Sequence, residues 1–218
     1  VYKRQPLLGA KNIPVRGGNR DYTVTVQNTD VLSIDIDLSS PIDMGNLVVK
    51  PKQKGETTIT VKDNVTNETV DLKIKIVDSY LNLKVAHPAQ VPYTGGENLF
   101  FINNSDRDFY LFDEKMEKKE CTGNYQFLIK NSTCYMILNF DKELNDKRTY
   151  EYNISNTSER MFTLIEILLG IDWNMKADLI NRSTRSASPV TMNAVDTETN
   201  IIQYFVAGSN DIPENILD

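Results

Sequence analysis

A single histidine limits what this chain of 218 residues can catalyse. His87 sits in a proline-rich stretch with no second histidine and no cysteine beside it, whereas zinc sites gather several nitrogen or sulfur ligands at close spacing. Ser-His-Asp or Cys-His catalysis would need that same side chain, and no G-x-S-x-G or H-E-x-x-H string occurs. Paired carboxylates are the remaining route, because glycoside hydrolysis asks only for two acids at a set separation. Asp35 and Asp37 alternate along a strand-like run and point outward, and Asp106 and Asp108 flank a short turn. Outward acids on a sheet usually form a solvated face that discourages edge pairing. The same aspartates could ligate calcium, a possibility left open, although no loop carries the dense D-x-D-x-D-G oxygen set. The chain therefore reads as a non-enzyme with no catalytic residue, metal or cofactor assigned.

Binding chemistry has two candidate rings. Sugar-binding modules stack pyranose rings on exposed aromatic side chains, and Tyr93, beside Gly95-Gly96 in a loop, is the ring best placed outside a core. Trp173, the sole tryptophan, is the second candidate, though it follows an apolar helix and has the look of a core residue. Tyr150 and Tyr152 share a face with Ile154, which favours packing over a platform.

The elements that must position these residues are strands. Tyr22, Val24 and Val26 alternate with polar residues, as do Leu32, Ile34, Ile36 and Leu38; the pattern resumes at Thr57, Ile59 and Val61, then at Val70, Leu72, Ile74 and Ile76. Side chains of a strand point alternately to opposite faces, so each run predicts a strand with one face buried and one wet. A breaker-rich stretch, 86–96, holds two prolines and two glycines. We place the domain boundary before it, giving domains 1–79 and 80–218; the alternative break falls at 88–96. The second block reads as strands over 98–102, 107–112, 125–130, 133–140, 148–154, 190–195 and 201–206, with a polar stretch at 181–186. Its one helix is predicted over 157–169, with Asn156 as N-cap, Glu159 completing a capping box and Gly170 ending it. Leu164 and Ile167 widen the stripe of Met161, Phe162, Ile165, Leu168 and Leu169 so far that most sides of this helix must be buried. The expected fold is mainly β: an N-terminal β-sandwich plus a second β-rich domain with one buried helix.

The two cysteines, Cys121 and Cys134, are expected free. A two-residue turn at Asn131-Ser132 sets Cys134 against Ile129 and leaves Cys121 about 26 Å along its strand, at roughly 3.3 Å per residue. A disulfide needs Cα atoms within about 7 Å. In that register Cys121, Tyr125, Phe127 and Ile129 share a face with Cys134, Met136, Leu138 and Phe140, so both thiols behave as small buried hydrophobes.

Charge excludes further classes. A net charge of -6 and a pI near 5.0, with Lys and Arg scattered among acids, argue against nucleic acid and anionic membrane surfaces. No apolar run is long enough to span a bilayer as a helix, Met161 to Leu169 being half the required length. The chain opens at Val1 without an initiator Met or signal peptide, an end expected from processing or truncation.

Residues 27–35, Asn46-Leu47-Val48-Val49 and Lys54-Gly55-Glu56-Thr57-Thr58-Ile59-Thr60-Val61 resemble bacterial Ig-like domains of the group 2 type. Leu99-Phe100-Phe101-Ile102-Asn103-Asn104 and Arg107-Asp108-Phe109-Tyr110-Leu111-Phe112 make the whole chain similar to uncharacterised envelope lipoproteins of Bacteroides-type bacteria. The resemblance implies an Ig-like sandwich at the N-terminus, export, and a place in the periplasm or on the outer-membrane surface. It further implies a lipid anchor upstream of Val1 as the only membrane attachment. The expected function is a non-enzymatic adhesion, interaction or spacer module whose partner is a protein or polysaccharide at the cell surface. The alternative is a glycan-binding accessory protein for polysaccharide capture.

Overall fold

A computed structural model describes residues 2–39, 44–173, 190–209, 212–213 and 216–217. The protein is mainly β with one helix among the described residues, and the chain divides into two compact units, Val1–Ser79 and Tyr80–Leu217.

The alternating runs of the first unit become two sheets. One holds, in order, β1 (Tyr2–Pro6), β7 (Thr69–Val77), β6 (Gly55–Asp63) and β3 (Tyr22–Val26); the other holds β2 (Lys11–Val15), β5 (Gly45–Pro51) and β4 (Leu32–Asp37). β1 pairs with β7 in parallel and the remaining pairs are antiparallel. Leu32, Leu47 and Val49 from one sheet and Ile59, Leu72, Ile74 and Ile76 from the other form one buried cluster, so the unit is a sandwich. Not every residue of the apolar pattern reaches that core. Val70 is 61% exposed and Leu38 38% exposed. Both stand at ends of their runs, and Val70 lines an open slot instead of meeting the opposite sheet.

The second unit is a closed barrel. Its strands are β8 (Tyr80–Val85), β9 (Asn98–Ile102), β10 (Asp108–Phe112), β11 (Lys119–Lys130), β12 (Thr133–Leu144), β13 (Lys147–Asn153), β14 (Thr191–Asp196) and β15 (Ile202–Ala207). Each pairs antiparallel with the next, and β15 returns to β8 through Phe205↔Val85, Val206↔Lys84 and Ala207↔Leu83. Asn131 and Ser132 take φ of 51° and 60°, the left-handed pair of a tight hairpin turn, and fix Ile129 opposite Cys134. Cys121 lies opposite Leu111 on β10, and both thiols are buried and outside any disulfide. A barrel of this strand number is just wide enough for side chains to fill. Here Phe101, Phe109, Tyr125, Phe127, Phe140 and Tyr152 do so, with edge-to-face contacts such as Phe109–Phe140 at 5.0 Å.

Both mouths of the barrel are stoppered. Helix α1 (Glu159–Leu169) joins the end of β13 to the start of β14, so it lies across the mouth where β9 ends and β10 begins. Met161, Phe162, Ile165 and Leu169 drop into the interior, while Ile167 is 52% exposed, so the helix is buried along one broad face and not all round. Arg107, in the β9–β10 connection, donates to Leu169 O and Asn103 Oδ1 and ties the far end of the helix down. The N-cap is Ser158 instead of Asn156: Ser158 Oγ accepts from Met161 N at 3.3 Å and donates to Thr191 O at 3.1 Å. Asn156 is drawn off to β14, its carbonyl accepting from Asn193 Nδ2. Gly170 ends the helix at φ 61°, its N–H bonded to Glu166 O. The opposite mouth is covered by the β8–β9 connection, residues 86–97. The strap is held by Gln203, whose Nε2 donates to Gln90 O and Val91 O, and whose Oε1 accepts from Gln90 N. The expected polar stretch at 181–186 lies outside the described residues.

Candidate functional site

The two rings chosen from sequence both lie in the barrel core. Tyr93, expected in the open, is 4% exposed, because the strap turns its ring inward to meet Phe205 edge-on at 5.7 Å. Burial, reinforced by Tyr152, drives its hydroxyl far above the ordinary tyrosine range. Trp173 is also 4% exposed; its Nε1 donates to Phe162 O at 3.2 Å and its ring meets Phe162 and Phe127 edge-on at 5.1 and 5.8 Å. Neither presents a face to solvent. Tyr150, Tyr152 and Ile154 are buried as their shared face requires.

The acid pairs are ordinary by comparison. Asp35 is exposed and ion-paired with Lys50 at 2.6 Å, and Asp37 accepts from Ser39, whose hydrogen bonds hold its carboxyl below the usual range. Among the described residues no three His, Cys, Asp or Glu side chains converge on a point that could hold a metal.

A site that the sequence did not announce lies on the outer wall of the barrel. Register carries Asp108, Asn124, Asn139 and Thr149 onto one outward-facing rung across β10, β11, β12 and β13. The neighbouring rung carries Tyr110, Thr122 and Asp141. All of these but Thr149, together with Lys119, line a cleft of about 460 Å³. Gly123 is part of its lining. Gly123 sits between the two rungs with its missing side chain directed inward, and a Cβ there would lie 2.0 Å from Asn139 O and 2.7 Å from Phe109 Cε1. β11 therefore approaches the β12 backbone and the Phe109 ring closely at this point, as only a glycine allows.

The polar groups of the cleft are held in place by one another. Asn104 Nδ2 and Asn124 Nδ2 donate to the two oxygens of Asp108 at 2.7 and 3.1 Å, and Asn124 Nδ2 also reaches Asp106 O at 2.9 Å. Thr122 grips Asp141 through its N–H at 3.2 Å and its hydroxyl at 2.8 Å. Burial alone would raise the Asp141 carboxyl, but these two donors and the neighbouring Lys142 hold it below the usual range. Thr149 Oγ1 donates to Asn139 Oδ1 at 2.9 Å, and the Lys119 ammonium stands 5.7 Å over the Tyr110 ring. In sequence each of these is merely the polar half of an alternating strand. Only the register across four strands assembles them.

The sandwich carries a second concavity, a slot of about 470 Å³ with walls from Ile13, Val15, Leu47, Val61, Val70 and Leu72. At its rim Asp63 is fully engaged, accepting from Asn19 N, Val65 N and Thr66 N. No family model, curated protein or solved structure matches this chain.

Proposed function

We propose that the chain is a non-enzymatic protein of the cell envelope or surface, acting as an adhesion, interaction or spacer module. The observation that carries this reading is the filled and stoppered barrel: α1 and Tyr93 occupy its mouths and aromatic side chains its interior, so binding falls to outer surfaces. The resemblance of residues 27–61 to bacterial Ig-like domains, and of 99–112 to envelope lipoproteins, supports an exported setting with a protein or polysaccharide partner. A hydrolysis screen against glycans and peptides is expected to show no turnover. Turnover that disappears in Asp106→Asn or Asp108→Asn would overturn the proposal. Fractionation of the source cells is expected to recover the protein with the envelope, and recovery in the cytosol would remove that part of it.

A second reading, a glycan-binding accessory protein, is favoured by the polar cleft of β10–β12. Its ring is Tyr110, not Tyr93 or Trp173.

A further inference from the structure

The geometry points to this cleft as a subsite for a neutral saccharide ring with adjacent free hydroxyls. The inference rests on the glycan-binding reading and gives it an address and a ligand class.

Adjacent hydroxyls of a pyranose are both donors and acceptors, and short planar forks such as carboxylates and amides bind such pairs with two hydrogen bonds at once. The two rungs present that set within one cleft. Asp108 and Asp141 accept; each has a protein donor on both oxygens already, and a carboxylate oxygen has a second lone pair to offer. Asn124 uses Nδ2 within the protein, which leaves Oδ1 as its acceptor. Asn139 accepts through Oδ1 from Thr149, which leaves Nδ2 as a donor. Tyr110, half-buried, supplies the flat apolar surface that the C–H face of a sugar needs, once the exposed Lys119 swings off its ring.

Two features separate this arrangement from an ordinary wet face. Solvated sheet faces are usually covered by long, mobile Lys and Glu side chains, whereas here short Asp, Asn and Thr side chains are pinned by mutual hydrogen bonds. The short polar side chains are thus ordered before a ligand arrives, which lowers the cost of binding. The second feature is the cleft itself, which has Gly123 among its lining residues, where a side chain could not be accommodated. Charge then selects among sugars. Two carboxylates against one lysine disfavour uronic and other acidic sugars and leave neutral hexoses as the matching class.

The test is a printed array of neutral hexose, N-acetylhexosamine and uronic-acid oligosaccharides probed with the full chain, followed by calorimetry on the best neutral hexose oligosaccharide. Wild type is expected to bind neutral hexoses. Asn124→Ala and Tyr110→Ala are each expected to weaken binding about tenfold or more, while Asp35→Asn, in the other unit, changes nothing. Should Tyr110→Ala fail to fold, the side-chain amide NMR signals of Asn124 and Asn139 in wild type serve instead, and they are expected to shift during titration with the same sugar. Absence of binding at millimolar sugar would overturn both the subsite and the glycan reading. Binding that survives both variants, with silent Asn124 and Asn139 amides, would overturn the subsite while leaving glycan capture to another surface. A preference for uronic acids would overturn the ligand class.

Discussion

Burial governs the titration of the barrel's thiols and phenols. Desolvation, with Asp141 adding to it, pushes Cys121 up to about 11, and burial raises Cys134 as well. The neutral thiol is the native form, whereas the unfolded chain releases its proton near 9.0, so stability is complete below that pH and falls as pH climbs toward about 11. Tyr93, Tyr125, Tyr150 and Tyr152, all raised chiefly by burial, extend the same decline. Denaturant midpoints measured between about pH 8 and pH 11 should drop, and Cys121→Ala should make the drop shallower. Thiol titration of the native protein should find neither cysteine, and both after unfolding. In the sandwich the sign reverses. Burial works to raise the Asp63 carboxyl, but the N–H groups of Thr66, Val65 and Asn19 outweigh it and hold it low, so its contribution vanishes as pH falls through its own depressed value. Asp63→Asn should therefore flatten the acid limb of a stability curve. The thiols were readable in advance because a two-residue turn fixes register and register fixes faces. Tyr93 was not, because a strap rich in Pro and Gly reads as exposed, and nothing local signals that Gln203, more than a hundred residues later, pins it over the barrel mouth.

At the level of elements, β11 and α1 carry the sharpest expectations. Gly123→Ala puts a methyl group against the Asn139 carbonyl, an overlap that strand relaxation cannot absorb cheaply, and a loss of about 1–3 kcal/mol or more is expected from chemical denaturation. Phe162→Ala removes the largest plug of the helix mouth and should cost about 3–5 kcal/mol. Ser158→Ala should cost about 1 kcal/mol, and Asn156→Ala clearly less, since the former alone has its side chain on a helix N–H. The helix, its apolar stripe and its glycine terminator were legible from 3.6-residue spacing. Its cap was displaced by two residues because Asn156 and Ser158 are both good caps in isolation, and only the pull of Asn193 on the Asn156 carbonyl decides between them. The cleft was less legible still, being a property of three strands in register and of no one segment.

For the molecule as a whole, alternation announces strands but not how the last strand finds its partner. The sandwich and the barrel begin from the same kind of pattern. What distinguishes the barrel is a single long-range seam, β15 on β8, with Asn82 bonded to residues 208 and 209 from the far end of the chain. That seam sets an order of events. All other neighbours in the barrel follow one another along the chain, β13 and β14 across the longer connection that holds α1, and can form as the chain emerges, but closure joins segments more than a hundred residues apart and must wait for the final strand. Until then β8 and β14 are bare edges, each able to accept a strand from a second copy of the same intermediate. Refolding yield should consequently fall as protein concentration rises, and a chain ending before Ile202 should be recovered as aggregate or as strand-exchanged dimer, an outcome that size-exclusion chromatography would register directly.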